Sequence, residues 1–161
     1  MKELIKKIQK QWKAAKDAAQ SLCEESGQHD MACKLGECDM FKGTETLEEL
    51  IKLMFTPKGI EFLATYNFPD LKVFRMFKKY HPEKYGMYID CGEIELSEAH
   101  KVFLVGKTSA KLSYDDTAAS RVYLMHGANA VIVASGYAVV KIEKDGTSNV
   151  SVIKQDNAIV R

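Results

Sequence analysis

Ile94 to Arg121 reads IELSEAHKVFLVGKTSAKLSYDDTAASR, and the 28 residues that follow, Val122 to Asn149, read VYLMHGANAVIVASGYAVVKIEKDGTSN. The two stretches align without a gap, and Val150 to Arg161 opens a third copy. Position one of the repeat is Ile94, Val122 and Val150; position three is Leu96, Leu124 and Val152. Position nine is Val102, Ala130 and Ala158; position eleven is Leu104, Ile132 and Val160. Strict identity between the first two copies is low, as at Leu96/Leu124 and Ala110/Ala138, so the pattern repeats more than the residues do. Apolar residues at a fixed long period, alternating with polar ones inside each segment, are what stacked β-solenoid coils require. Segments begin near Ile94, Val102, Ala110, Val122, Ala130, Ala138, Val150 and Ala158, at steps of 8, 8 and 12 residues. This spacing predicts three short strands per coil and one longer corner, at residues 115–120 and 143–149, rich in turn-forming Asp, Gly, Thr and Ser. An antiparallel sandwich is the competing reading.

Upstream of Gly86 the period changes from two to between three and four. Leu4, Ile8, Trp12, Ala15, Ala19 and Leu22 fall on one face of a helix of about six turns, which Gly27 stops. A further turn or two is expected at Met31 to Leu35. Thr46 and Glu49 form a capping box ahead of Leu47, Leu50, Ile51 and Met54. Thr56-Pro57 starts the next helix, which reaches Asn67, and Asp70 caps another through Phe77. The fold class expected is α+β: an α-helical head over residues 1–82, then a three-strand-per-coil β-solenoid of 28-residue period over residues 86–161.

Composition narrows the function classes. Of the chain's net charge of +1, residues 1–16 carry +5 (six lysines against Glu3), which leaves −4 for the rest. No apolar run approaches the roughly 18 residues of a membrane span, and the lysine-rich start lacks the apolar block of a secretory signal. A cytoplasmic protein with reduced thiols, no membrane association and no cofactor is expected. No Gly-rich phosphate loop, nucleophile elbow or His-metal motif is present, so an enzyme ranks last among the readings.

Several residue groups are candidates for function. Phe103, Val131 and Ile159 at position ten, with Val105 and Val133 at position twelve, are apolar where a solenoid turns outward. A strand apolar on both faces is covered on both, so these positions predict an interface with the helices or with a second chain. About 2.4 coils is short for a repeat array, and the open last coil predicts a homo-oligomer, a dimer or trimer. Glu98, His126 and Lys154 at position five are expected to stack about 4.8 Å apart as a ligand face. Lys101, Asn129 and Asn157 are expected as a polar ladder at position eight. Asp115, Asp116 and Glu143 are expected at one acidic corner. Lys2, Lys6, Lys10 and Lys13 share a helix face that suits nucleic acid, although no arginine or aromatic interleaves with them. Cys23, His29, Cys33 and Cys38 are a zinc-competent set, at spacings that match no standard zinc signature.

Thr56-Pro57-Lys58-Gly59-Ile60-Glu61-Phe62, Asn67-Phe68-Pro69 and Tyr85-Gly86-Met87-Tyr88-Ile89-Asp90 resemble segments of a family of uncharacterised bacterial proteins. Those proteins have a short helical head with GI-[ED]-F and N-[FY]-P segments, a YG-x-Y-[IV]-D strand and a repetitive β tail. The resemblance covers residues 20–161 and implies no activity and no catalytic residues. The function expected is a non-enzymatic, self-associating scaffold or adaptor, with an unidentified protein partner as a further expectation. The alternative is a module that binds nucleic acid or glycan on the exposed solenoid face or on the lysine-rich first helix.

Overall fold

A computed structural model describes residues 1–36 and 41–161, with side chains for all of these except residues 33–36, 58 and 61. Helix α1 runs Lys2–Glu25 and buries Leu4, Ile5, Ile8, Trp12 and Ala19. Leu22, expected on the same face, is 63% exposed. Gly27 follows at φ +75°, a left-handed conformation that glycine adopts without steric cost. Helix α2 is His29–Gly36. Helix α3, Leu47–Met54, carries the expected capping box, with Thr46 Oγ1 accepting from the Glu49 amide and Glu49 accepting from the Thr46 amide. Helix α4, Pro57–Tyr66, starts on Thr56 and ends on Asn67 in the left-handed region. Helix α5, Leu71–Phe77, is capped by Asp70. Two 3₁₀ turns, Lys78–Tyr80 and Pro82–Tyr85, lead to the first strand.

The strands are β1 Met87–Ile89, β2 Gly92–Ser97, β3 Lys101–Val105, β4 Thr108–Tyr114, β5 Ala119–Met125, β6 Asn129–Ala134, β7 Val139–Lys144, β8 Asn149–Lys154 and β9 Ile159–Val160. Strands β1, β3, β5, β7 and β9 pair in that order in one sheet, and β2, β4, β6 and β8 in the other. Every ladder is parallel, which excludes the antiparallel sandwich. The chain therefore winds as a parallel β-solenoid of about four turns.

The coil itself differs from the expected one. It has two strands rather than three, and its period is 20 residues rather than 28 once past a first turn of 16. Met87 pairs with Phe103, Lys101 with Arg121, Ala119 with Val139 and Val139 with Ile159. A shift of 28 is one coil of 20 plus a step of 8 to the opposite sheet, so it lays β3 on β6 and β4 on β7. Inward positions keep the same parity in both sheets, so the apolar ladder still overlays well. Its echo reports the inward face, not the coil.

Inside the coils, Val102 lies over Val122 and Ile142, and Leu112 over Ile132 and Val152. A second core lies outside the five-stranded sheet. There Met87, Ile89, Phe103, Val105, Tyr123 and Met125 pack with Leu50, Met54, Phe74 and Phe77 of the helices. The Phe103 ring sits at the centre, 5.5 Å from Phe74, 5.8 Å from Phe55 and 6.1 Å from Tyr123. Burying one such side chain contributes about 2–3 kcal/mol.

The expected outer columns separate under this register. Phe103 and Val105 lie under the helices, as a strand apolar on both faces demands. Val131 and Val133 lie on the outer face of the four-stranded sheet, with Val131 40% exposed, and Ile159 on edge strand β9 is 52% exposed. The asparagine ladder shifts likewise, because Asn129 pairs with Asn149 and accepts its side-chain amide at 3.3 Å, not with Asn157.

Candidate functional site

Corners leading from the four-stranded to the five-stranded sheet stack along one edge of the solenoid. The first is Glu98 to His100, between β2 and β3, and the next is Asp115 to Ala118, between β4 and β5. Glu98 takes a left-handed φ of +51°, and its amide donates to the Ser113 carbonyl at 3.0 Å. The Asp115 amide donates to Glu98 Oε1 at 2.8 Å, while Oε2 is sealed from solvent and has no hydrogen-bond partner. His100 lies over Ser120 with Nδ1 3.0 Å from Oγ of that buried residue. Its other ring nitrogen, Nε2, is 3.3 Å from Asp116 Oδ2, and Asp116 Oδ1 accepts from the Ala118 amide at 3.0 Å. One donor atom each of Glu98, His100 and Asp116 lies within 4.8 Å of the other two. Burial pushes the Glu98 carboxyl above its ordinary range; the Asp115 amide opposes that shift and the neighbouring Asp116 carboxylate adds to it.

Sequence reasoning missed this grouping because it used the wrong register. It placed Glu98 with His126 and Lys154, and Asp116 with Asp115 and Glu143. Glu143 in fact lies within β7 and pairs with Lys141 at 2.6 Å. A search at 16 residues, the length of the first turn, sets His100 against Asp116, and one at 20 sets it against Ser120; those two offsets are the signal that would have found the site.

The expected ligand face does not form. His126 occupies the β5–β6 corner on the opposite edge, at φ +59°, and Lys154 is exposed at the end of β8. The His126 amide donates to Asp145 Oδ2 at 2.7 Å, and Nε2 lies 2.8 Å from the Pro69 carbonyl oxygen. With its ring 5.5 Å from Phe74, His126 joins the solenoid corner to the head. Asp145 is itself 5% exposed and also accepts from the amides of Thr147 and Ser148. Burial raises its pKa, but the bonds from His126, Ser148 and Thr147 outweigh that and hold the carboxyl below its ordinary range. Asp90, at the corner two coils before His126, makes the parallel connection, accepting from Arg75 Nε at 2.6 Å and from the Lys107 amide at 2.8 Å.

The remaining candidates are dispersed. Lys2, Lys6, Lys10 and Lys13 are all exposed on α1. Cys23 is a free, half-buried thiol and His29 is exposed at the start of α2. Cys33 falls in α2, where only the backbone is described, and Cys38 lies outside the described residues. Lys101, Arg121 and Lys141 form a basic column that the 28-residue register hid; they are exposed and in register on successive strands. A head cleft of about 510 Å³ is lined in part by Glu49 and Thr56, which are already engaged as helix caps.

Comparison of the chain with protein-family models, with curated proteins and with solved structures finds no match. The class is accordingly defined by the fold alone: an α+β protein in which a helical segment precedes a β-solenoid. The likeness to a bacterial family rests only on the residues quoted for it. Among the described residues no helix is long and apolar enough to cross a membrane.

Proposed function

We propose that the protein is a non-enzymatic scaffold that self-associates through its last coil, β8 with β9, into a homodimer. The observation that carries this reading is the exposure of that coil: Val152 is 45%, Ile153 49% and Ile159 52% exposed, although Val152 stacks on the fully buried Ile132. Strand β8 closes the four-stranded sheet with one row of backbone donors and acceptors turned outward, a ready template for another strand. A second copy suits it. Antiparallel pairing of β8 with its own twin sets Lys154 opposite Asn149, so no like charges meet.

The test is solution mass by light scattering on the full chain, paired with an Ile153→Asp/Ile159→Asp variant. Both residues are about half exposed, so the folded monomer tolerates the change. The expected result is about twice the 18.1 kDa of one chain, falling to one chain in the variant. A monomeric wild type, or a dimer that survives both substitutions, overturns the reading. A second reading, an anionic ligand on the exposed solenoid, is supported by the column of Lys101, Arg121 and Lys141.

A further inference from the structure

We propose that Glu98, His100 and Asp116 form a binding site for a divalent cation of the zinc class, held by one imidazole nitrogen and two carboxylate oxygens. Three features of the corner support it, and none depends on the scaffold reading. The first is proximity. The three donor atoms already lie within 4.8 Å of one another. Zinc bonds of roughly 2.0–2.2 Å bring such donors to within about 4 Å, so small side-chain rotations close the site. The cation then takes the place of the 3.3 Å contact between His100 and Asp116.

The second feature is anchoring. Each side chain commits one polar atom to a partner outside the trio and keeps another for the site. Glu98 Oε1 accepts from the Asp115 amide, Asp116 Oδ1 from the Ala118 amide, and His100 Nδ1 lies on the buried Ser120 hydroxyl. With Nδ1–H donating to Ser120, the Nε2 lone pair is free for a metal, and outer partners of this kind fix the orientation of ligating histidines. The third feature is the orphan. Glu98 Oε2 is buried without a hydrogen bond. Buried polar atoms are almost always satisfied, and a cation satisfies this oxygen and separates the two crowded carboxylates at once.

The donor set selects the ion class. Imidazole with carboxylates suits zinc and its transition-metal neighbours, whereas calcium and magnesium prefer oxygen alone. Because Glu98 and His100 sit on one corner and Asp116 on the next, the ion would clamp two successive coils together.

Zinc chloride is titrated calorimetrically into the full chain carrying Cys23→Ser, Cys33→Ser, Cys38→Ser and Cys91→Ser, so that none of the four thiols competes. The expected result is one zinc per chain, with binding at least tenfold weaker after His100→Ala or Glu98→Gln. A footprint on the unaltered chain decides the matter even where a substituted chain fails to fold. Diethyl pyrocarbonate modification of the exposed His100, read by mass spectrometry, should slow when zinc is present. No zinc uptake by the thiol-free chain, uptake indifferent to both substitutions, or equal modification of His100 with and without zinc would each overturn the proposal.

Discussion

The outer faces of the two sheets differ in one respect that decides how the molecule is built. On the five-stranded sheet, Phe103 has Met87 and Tyr123 as its register neighbours, and Val105 has Ile89 and Met125. On the four-stranded sheet, Val131 is flanked by Lys111 and Ser151, and Val133 by Ser113 and Ile153. Taken singly, β3 and β6 are equally apolar on both faces. Only the first has neighbours that extend the patch across strands, and that sheet is the one the helices cover. Coverage is thus a property of a column, and an isolated outward valine draws no partner.

The sharpest way to break this contrast is Phe103→Ala. Phe103 is fully buried against rings from both the head and the solenoid. Truncation should cost about 3–5 kcal/mol, read as a lower urea midpoint. Loss of under about 1 kcal/mol would mean that the head does not depend on this face.

Next comes Asp145→Ala, which leaves the amides of His126, Thr147 and Ser148 without their acceptor. A cost on the order of 2–3 kcal/mol is expected. This carboxylate also gives a pH signature, shared with Asp90, whose carboxyl the Arg75 guanidinium holds below its ordinary range with help from Lys78 and the Lys107 amide. A carboxyl depressed in the folded state contributes stability that is complete above its unfolded pKa of about 4. That contribution disappears as pH falls through the lower folded value. The melting temperature should therefore hold down to roughly pH 4 and fall below it, less steeply in Asp145→Ala. An equally steep fall in that variant would count against the assignment.

The smallest effect belongs to the open face. Val131→Lys should change stability by no more than about 0.5 kcal/mol, because its neighbours across the strands are already polar. A larger loss would show that something covers this face.

Sequence alone went a long way in the head. Its caps are local: Thr46 with Glu49, Thr56 before Pro57, and Asp70 each act within three residues, so their spacing could be read directly. Inward parity in the solenoid was equally readable, because alternation survives any even shift. The coil length was not, since a shift of 28 preserves that parity while exchanging the sheets. Everything that rests on cross-strand neighbours inherited the error. Glu98 was assigned to His126 on the far edge, and the pairing of His100 over Ser120 went unseen. His126 misled for another reason, because its partner is the Pro69 carbonyl, 57 residues away in the chain.

Among the described residues, the core beneath the helices draws on the first three strands of the five-stranded sheet, where Met87, Phe103 and Tyr123 lie, and α4 reaches β7, while the last coil leans on the one before it. This gives the molecule a direction of growth. In a stack where each unit contacts only its neighbours, order spreads from the best-stabilised unit outward. The head and first coil would then serve as the seed, and each later turn would zip onto the one before it. Folding would run in the same sense as ribosomal synthesis. Pulse-labelled amide exchange during refolding should find β1 and β3 protected before β8, and simultaneous protection of all coils would refute that order.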